Sequence, residues 1–191
     1  MRRSPPHRHT VERRSVLASG VLLAGLGPAA IAAAAPTRVA APALVHVFSV
    51  TVLIGAPQEL GLVDGARKRV IPITGGTIRG PRLTGKVLPG GADWQTIRSD
   101  GVADIWARYT LEAEDGALIS VTNPGTRRGP AVVLARIAKG EAVDPALYYF
   151  RTSPRFEAAV PGPHAWLTSS VFLCSAARYA ERVELDIFEV Q

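Results

Sequence analysis

Hydrophobic and polar positions in this chain fall into short alternating runs. The clearest is Leu44 to Ile54 (LVHVFSVTVLI). Leu44, Phe48, Val50, Val52 and Ile54 share one face with His46, which predicts a strand with one almost wholly apolar side. Gly55-Ala56-Pro57 ends it. A loop is expected over 58–66. A short second strand is expected over Arg69–Ile73, held to an edge or a bulge by Pro72. Thr77–Arg79 and Leu83–Leu88 read as pieces of a third strand, cut by Gly80-Pro81 and Gly85. Glycine repeated within strand sequence signals bulges and tight corners in a curved sheet.

The run from Ile105 to Thr122 turns around Asp115-Gly116, and the length of its loop decides its faces. A two-residue turn would mix Arg108, Thr110 and Glu112 with Ile119 and Val121. A three-residue loop, Glu114-Asp115-Gly116 with a left-handed glycine, puts Ile105, Ala107, Tyr109, Leu111, Ile119 and Val121 on one side. Register follows the separation of apolar from polar, so the second arrangement is preferred. Asn123-Pro124-Gly125 is read as the end of the strand. Pro130–Lys139 is the one helical candidate, with Pro130 in the first turn and Gly140 as the stop. Strands are expected over Val143–Thr152, Trp166–Ser175 and Arg182–Val190, with a loop over Ser153–Pro163. Many short strands, frequent Gly/Pro turns and one short helix predict an all-β fold, a small antiparallel β-barrel; the glycine bends favour closure over an open sandwich.

Composition changes this picture mainly at the amino terminus. The chain has 191 residues, which suits one domain. Residues 1–35 run from a basic lead (Arg2, Arg3, Arg8, Arg13, Arg14) through a Gly-interrupted apolar stretch to Ala32–Ala35. That order is the pattern of a secretory signal peptide, and Arg13-Arg14 resembles a twin-arginine export signal. Gly and Pro within the run argue against a membrane-spanning helix. The expected organisation is a signal peptide over 1–35, a flexible lead over 36–43 and a barrel domain over 44–191. Export through the twin-arginine machinery, to the periplasm or beyond, follows, with no stable membrane insertion after cleavage. Loss of five arginines and one glutamate with the signal lowers the net charge from +6 to +2, so no basic run remains for nucleic acid. Cys174 is the single cysteine, so the domain relies on its core rather than a disulfide.

GGTIRGPRLTGKVLPGGADWQ, ARYTLEAEDGALISVTN, YYFRTSPRFE and the Trp166-Leu167 pair occur in that order between Leu44 and Val190. They resemble the DUF3237 (UPF0311) family. The resemblance implies a compact β-barrel, with a role in small-molecule metabolism among the expectations. Asp93, Trp94, Arg108, Tyr109 and Trp166 carry over as motif residues. Thr168 stands where asparagine is expected, and Cys174-Ser175-Ala176 where glycines are expected, which sets that strand apart from the family pattern.

Candidate chemistry is sparse. Asp93 and Arg108 are the catalytic candidates, as a proton acceptor and an oxyanion-binding cation. A turn-capping role for Asp93 and a core position for Trp94 are the more common uses of such residues. Trp94, Tyr109 and Trp166 are the expected binding residues, walling a pocket at one barrel end where Gly/Pro-rich loops meet strand ends. The preferred hairpin register turns Arg108 outward and leaves its part in the site open. His46 and His164 show no ligand spacing, so no metal is expected, and no cofactor. Neither G-x-S-x-G nor G-x-G-x-x-G is present. The leading expectation is an exported barrel that binds a small organic molecule, aromatic ones included. The alternative is a cofactor-independent isomerase, cyclase or lyase acting on an activated carbonyl compound by acid–base chemistry. Homo-oligomerisation and a purely structural role stay open. A polar constellation converging inside the barrel favours the enzyme; an apolar lining favours binding.

Overall fold

The computed structural model describes residues 39–191; the expected signal peptide and the start of the flexible lead lie outside them. The strands are β1 (Leu44–Ile54), β2 (Gln58–Val63), β3 (Ala66–Arg79), β4 (Gly85–Val87), β5 (Ala92–Ile97), β6 (Ala103–Ala113), β7 (Leu118–Arg128), β8 (Tyr149–Thr152), β9 (Arg155–Glu157), β10 (Val171–Arg178) and β11 (Arg182–Val190). One helix, α1 (Ala131–Ala138), follows β7. Eight strands pair antiparallel in the order β6-β5-β3-β1-β11-β10-β8-β7, and β7 returns to β6, closing a barrel. The three short strands are attached to this ring. β4 lies between β3 and β6 beyond the end of β5, β9 pairs with β7 beyond β8, and β2 flanks β3.

The hairpin has the three-residue loop. Leu111 pairs with Ile119, Tyr109 with Val121, and Gly116 is left-handed at φ +84°. β1 and β11 occupy the predicted spans, and α1 lies within the predicted one. Several expectations differ. Residues 58–63 form a strand rather than a loop, paired with β3. Arg69–Ile73 and Thr77–Arg79 belong to one strand, β3, which bends at Gly75 and Gly76. A Cβ on Gly76 would lie 2.0 Å from the Thr51 carbonyl oxygen, so only glycine lets β3 press so close to β1. β7 continues through Asn123-Pro124-Gly125 to Arg128. Tyr149–Thr152 alone is strand in the 143–152 span, Arg155–Glu157 forms β9 inside the expected loop, and Ala165–Thr168 is a 3-10 turn before β10.

The barrel interior has two unlike ends. At one, Phe48, Ile78, Leu111, Ile119, Phe156, Leu167 and Phe172 pack as a dry core. Phe48, Phe156, Phe172 and Trp166 meet edge to face at 5.1–5.9 Å between centroids. A bulge at Val47 turns both Val47 and Phe48 into this core. At the other end, polar side chains enter the interior. α1 spans the rim there: it buries Val133 and Ile137, its Leu134 lies beside Gly101 of the β5–β6 turn, and Gly140 beyond it meets Ala180 of the β10–β11 turn.

Candidate functional site

The polar end is built by strand alternation. Arg69, Ile71 and Ile73 point inward from β3, and β5 sets Gln95 opposite Arg69 and Asp93 opposite Ile71. On β7, the inward row that begins with Ile119 and Val121 continues as Asn123 and Arg127. Thr152 of β8, opposite Gly125, and Arg178 of β10 complete the ring. Apolar walls of Val52, Ile54, Ile73, Phe150, Val183 and Leu185 enclose a cavity of about 40 Å³, more than a single water needs.

One hydrogen-bonded chain runs along β3, β5 and β6. Arg69 Nε and Nη2 donate to Gln95 Oε1 at 3.0 and 2.8 Å, and Gln95 Nε2 donates to Asp93 Oδ2 at 2.6 Å. The Trp106 backbone N–H donates to Asp93 Oδ1 at 3.0 Å. Glu59 of β2 also lies 3.8 Å from Arg69 Nη1. Burial raises the Asp93 carboxyl above its ordinary value, against the hydrogen bonds from Gln95 and Trp106 and the charges of Arg127 and Arg69.

Arg127 has no such partners. It is only 7% exposed, and neither Nε nor Nη1 makes a hydrogen bond. Burial, then repulsion from Arg69 and Arg178, lowers its pKa to about 10, with Asp93 opposing. Arg178 is lowered to about 10 by burial and by Arg69. Its Nη1 donates to the Ala180 carbonyl at 3.0 Å, and its backbone N–H to the Tyr148 hydroxyl at 2.8 Å. Asn123 Oδ1 and Thr152 Oγ1 are buried without partners as well. Burial pushes the Tyr109 phenol well above its usual range, and the Cys174 thiol up to about 12, so Cys174 is a packed thiol rather than a nucleophile.

The structure gathers only part of the set expected from sequence. Asp93 and Tyr109 both line the cavity. Trp94 alternates with them onto the outer face, 47% exposed, beside the likewise exposed Trp106. Arg108 pairs with Thr122 and is exposed on the outside of β6, so it does not enter the barrel. Trp166 sits at the opposite end, against Phe172 and under the Arg82 guanidinium at 3.6 Å. Trp94, Arg108 and Tyr109 line one groove on the outside of the barrel, but Trp166 does not join them, so the three aromatic residues do not wall one pocket. Gln95, Asn123, Arg127 and Arg178 do line the cavity, with Arg69 bonded to Gln95 behind it, and sequence reasoning did not single them out. The available signal was the parity of β7: counting on from Val121 by twos reaches Asn123 and Arg127.

The histidines serve elsewhere. His46 Nε2 lies 3.0 Å from Ser49 Oγ, which donates to Asp186 at 2.6 Å on the outer surface. His164 meets Asp115 at 3.1 Å. Among the described residues no three His, Cys, Asp or Glu side chains gather as a metal site would require.

Comparison with known proteins agrees with this architecture. The family described as "Protein of unknown function (DUF3237)" matches residues 42–190. A UPF0311 protein of Rhodopseudomonas palustris is 44% identical over 145 residues, covering 76% of this chain and 94% of the relative. The crystal structure of a conserved protein of unknown function from Rhodopseudomonas palustris superposes with a TM-score of 0.77 at 40% identity, over 80% of this chain and all of that one. A beta-barrel like protein from Acinetobacter baumannii superposes with a TM-score of 0.70 at 39% identity, over 81% and 99% of the two chains. With its closed barrel, its ordered motif blocks and these similarities, the chain belongs to the DUF3237 (UPF0311) family.

Proposed function

We propose that the barrel binds a small organic molecule bearing an anionic oxygen at the polar end of its interior. The observation that carries this reading is Arg127, a buried guanidinium with two nitrogens lacking hydrogen-bond partners. Leaving a charged donor buried and unpaired is costly, and native proteins rarely do so. An incoming carboxylate or enolate oxygen supplies the missing acceptor in a setting where water competes little. Arg178 and Arg69 add to the positive potential, and the aliphatic walls suit the ligand's body.

A second reading, a cofactor-independent isomerase, cyclase or lyase, is favoured by Asp93. Its half-buried carboxyl has a raised pKa and stands among the arginines. Ionised, it would accept a proton from a carbon next to a carbonyl, while the guanidinium charges stabilise the enolate oxygen. Export belongs to the same proposal: Arg13-Arg14 before a Gly-rich apolar run supports a periplasmic setting, with the ligand met there.

Native mass spectrometry of protein isolated from periplasm tests the binding reading. The expected result is a bound small anion that is absent from an Arg127→Met variant. An empty barrel, together with a panel of small carboxylates none of which perturbs an interior resonance, would overturn it.

A further inference from the structure

The unpartnered atoms of the polar end lie along one wall and have different requirements. Asn123 and Arg127 are four residues apart on the inward row of β7, and Thr152 projects from β8 opposite the intervening Gly125. Gly125 allows this closeness, because a Cβ there would lie 2.4 Å from the Arg151 carbonyl oxygen. Arg127 Nε and Nη1 can only donate; Asn123 Oδ1 can only accept; Thr152 Oγ1 does either. Of the Asn123 side chain, Oδ1 is the buried atom left without a partner.

From this pattern we infer that the ligand is a 2-hydroxycarboxylate: its carboxylate accepts from Arg127, and its adjacent hydroxyl donates to Asn123 Oδ1. The inference rests on the interior being a binding site and adds the chemistry of the bound head group. A simple carboxylate satisfies Arg127 but brings only lone pairs to Asn123 Oδ1. A neutral alcohol satisfies Asn123 and leaves the guanidinium charge uncompensated. A molecule that carries both groups on neighbouring carbons meets both needs, with Thr152 free to donate or accept.

Charge and size agree with a single anionic group. Arg127 and Arg178 line the interior with Asp93, and Arg69 lies behind Gln95 against Glu59 of β2, which leaves one positive charge in excess when both acids are ionised. The cavity of about 40 Å³ suits a compact head group, and Ile54, Ile73, Phe150 and Val183 offer apolar surface to a short substituent.

The test uses lactate, propionate and lactamide; propionate and lactamide each differ from lactate in one group. Binding to the purified protein is followed by NMR through the Arg127 Nε–Hε resonance and the backbone amides of β7 and β8. Lactate is expected to bind roughly tenfold more tightly than propionate, the equivalent of one additional satisfied buried hydrogen bond. Lactamide is expected to bind more weakly than either. Asn123→Leu should abolish the preference for lactate over propionate. Should that variant fail to fold, the lactate-to-propionate ratio in the unaltered protein decides. Equal affinity for lactate and propionate, or lactamide matching lactate, overturns the hydroxycarboxylate assignment while leaving the interior binding site in place. No shift of any interior resonance with all three probes overturns both.

Discussion

Gln95 holds Asp93 in one orientation: its Nε2 donates to Asp93 Oδ2 at 2.6 Å, and its Oε1 is already occupied by two N–H groups of Arg69. A flipped amide would set Nε2 against the guanidinium and Oε1 against the carboxylate. Arg69 thus fixes the amide, and the amide fixes the acid, across three inward positions of β3 and β5.

Removing that link should move the titration of Asp93. The raised folded-state pKa means the native protein binds this proton more tightly than the unfolded chain does. Asp93 therefore contributes most stability at acid pH, and the contribution falls as pH rises from 3.8 through the folded value. Asp100, Asp115 and Glu189 are lowered by hydrogen bonds and nearby cations, so their contributions are lost as pH falls. The side-chain carbon resonance of Asp93 isolates its own effect. In Gln95→Met its midpoint should rise further, since a hydrogen bond to the charged form is lost, and stability should drop by about 1–3 kcal/mol with Arg69 left short of an acceptor. An unchanged midpoint would refute the coupling.

Arg127→Met should make the empty protein more stable. The substitution removes a buried charge with unpaired donors and keeps most of the side-chain volume. Replacing buried ionic groups with well-packed apolar ones often gains about 1–4 kcal/mol. Thermal melts check this; a lower melting temperature without ligand would mean that Arg127 is held by partners within the fold.

Two glycines should differ sharply when changed to alanine. At Gly116 a Cβ meets nothing within 4 Å, so Gly116→Ala carries only the left-handed backbone strain, about 1–2 kcal/mol. At Gly76 a Cβ would run into the Thr51 carbonyl, and β3 cannot stay paired to β1 around it. Gly76→Ala should therefore cost several times more than Gly116→Ala in denaturant melts. Similar costs would contradict the close approach of β3 to β1.

The tryptophans should prove remote from the interior. Trp94→Ala, on the outer face, should cost below about 1 kcal/mol, as for other half-exposed cross-strand positions. Trp166→Ala should cost more, about 1–3 kcal/mol, since it removes packing against Phe172 and Arg82 but not a fully buried core residue. Neither should change the affinity of a probe bound in the cavity, as calorimetry would show. Loss of binding in Trp94→Ala would place the ligand on the outer face.

Export depends, in our proposal, on Arg13 and Arg14. Replacing both with lysine should leave precursor in the cytoplasm, as cell fractionation and immunoblotting would detect. Undiminished mature protein in the periplasm would remove the twin-arginine route.

The sequence by itself determined what is local. Alternation marked β1 and β11, Pro130 and Gly140 bracketed α1, and the three-residue loop set the β6–β7 register, because the wrong parity would have buried Arg108 and Glu112. The ordered motif blocks were enough to name the family, and Asp93 and Tyr109 stood out within them. Arg127 was hidden because Asn123-Pro124-Gly125 reads as a strand end. Tertiary structure removes that break: β7 pairs with β9 over Ser120–Thr122 and with β8 over Gly125–Arg128, so Pro124 falls between two partners, where its missing N–H leaves no ladder bond unmade. The meeting of Asp93, Arg127 and Arg178 was equally out of reach, because each lies on a different strand and only closure of β6 on β7 points all three into one space. Parity decides whether a side chain turns inward, but barrel closure decides which inward side chains meet.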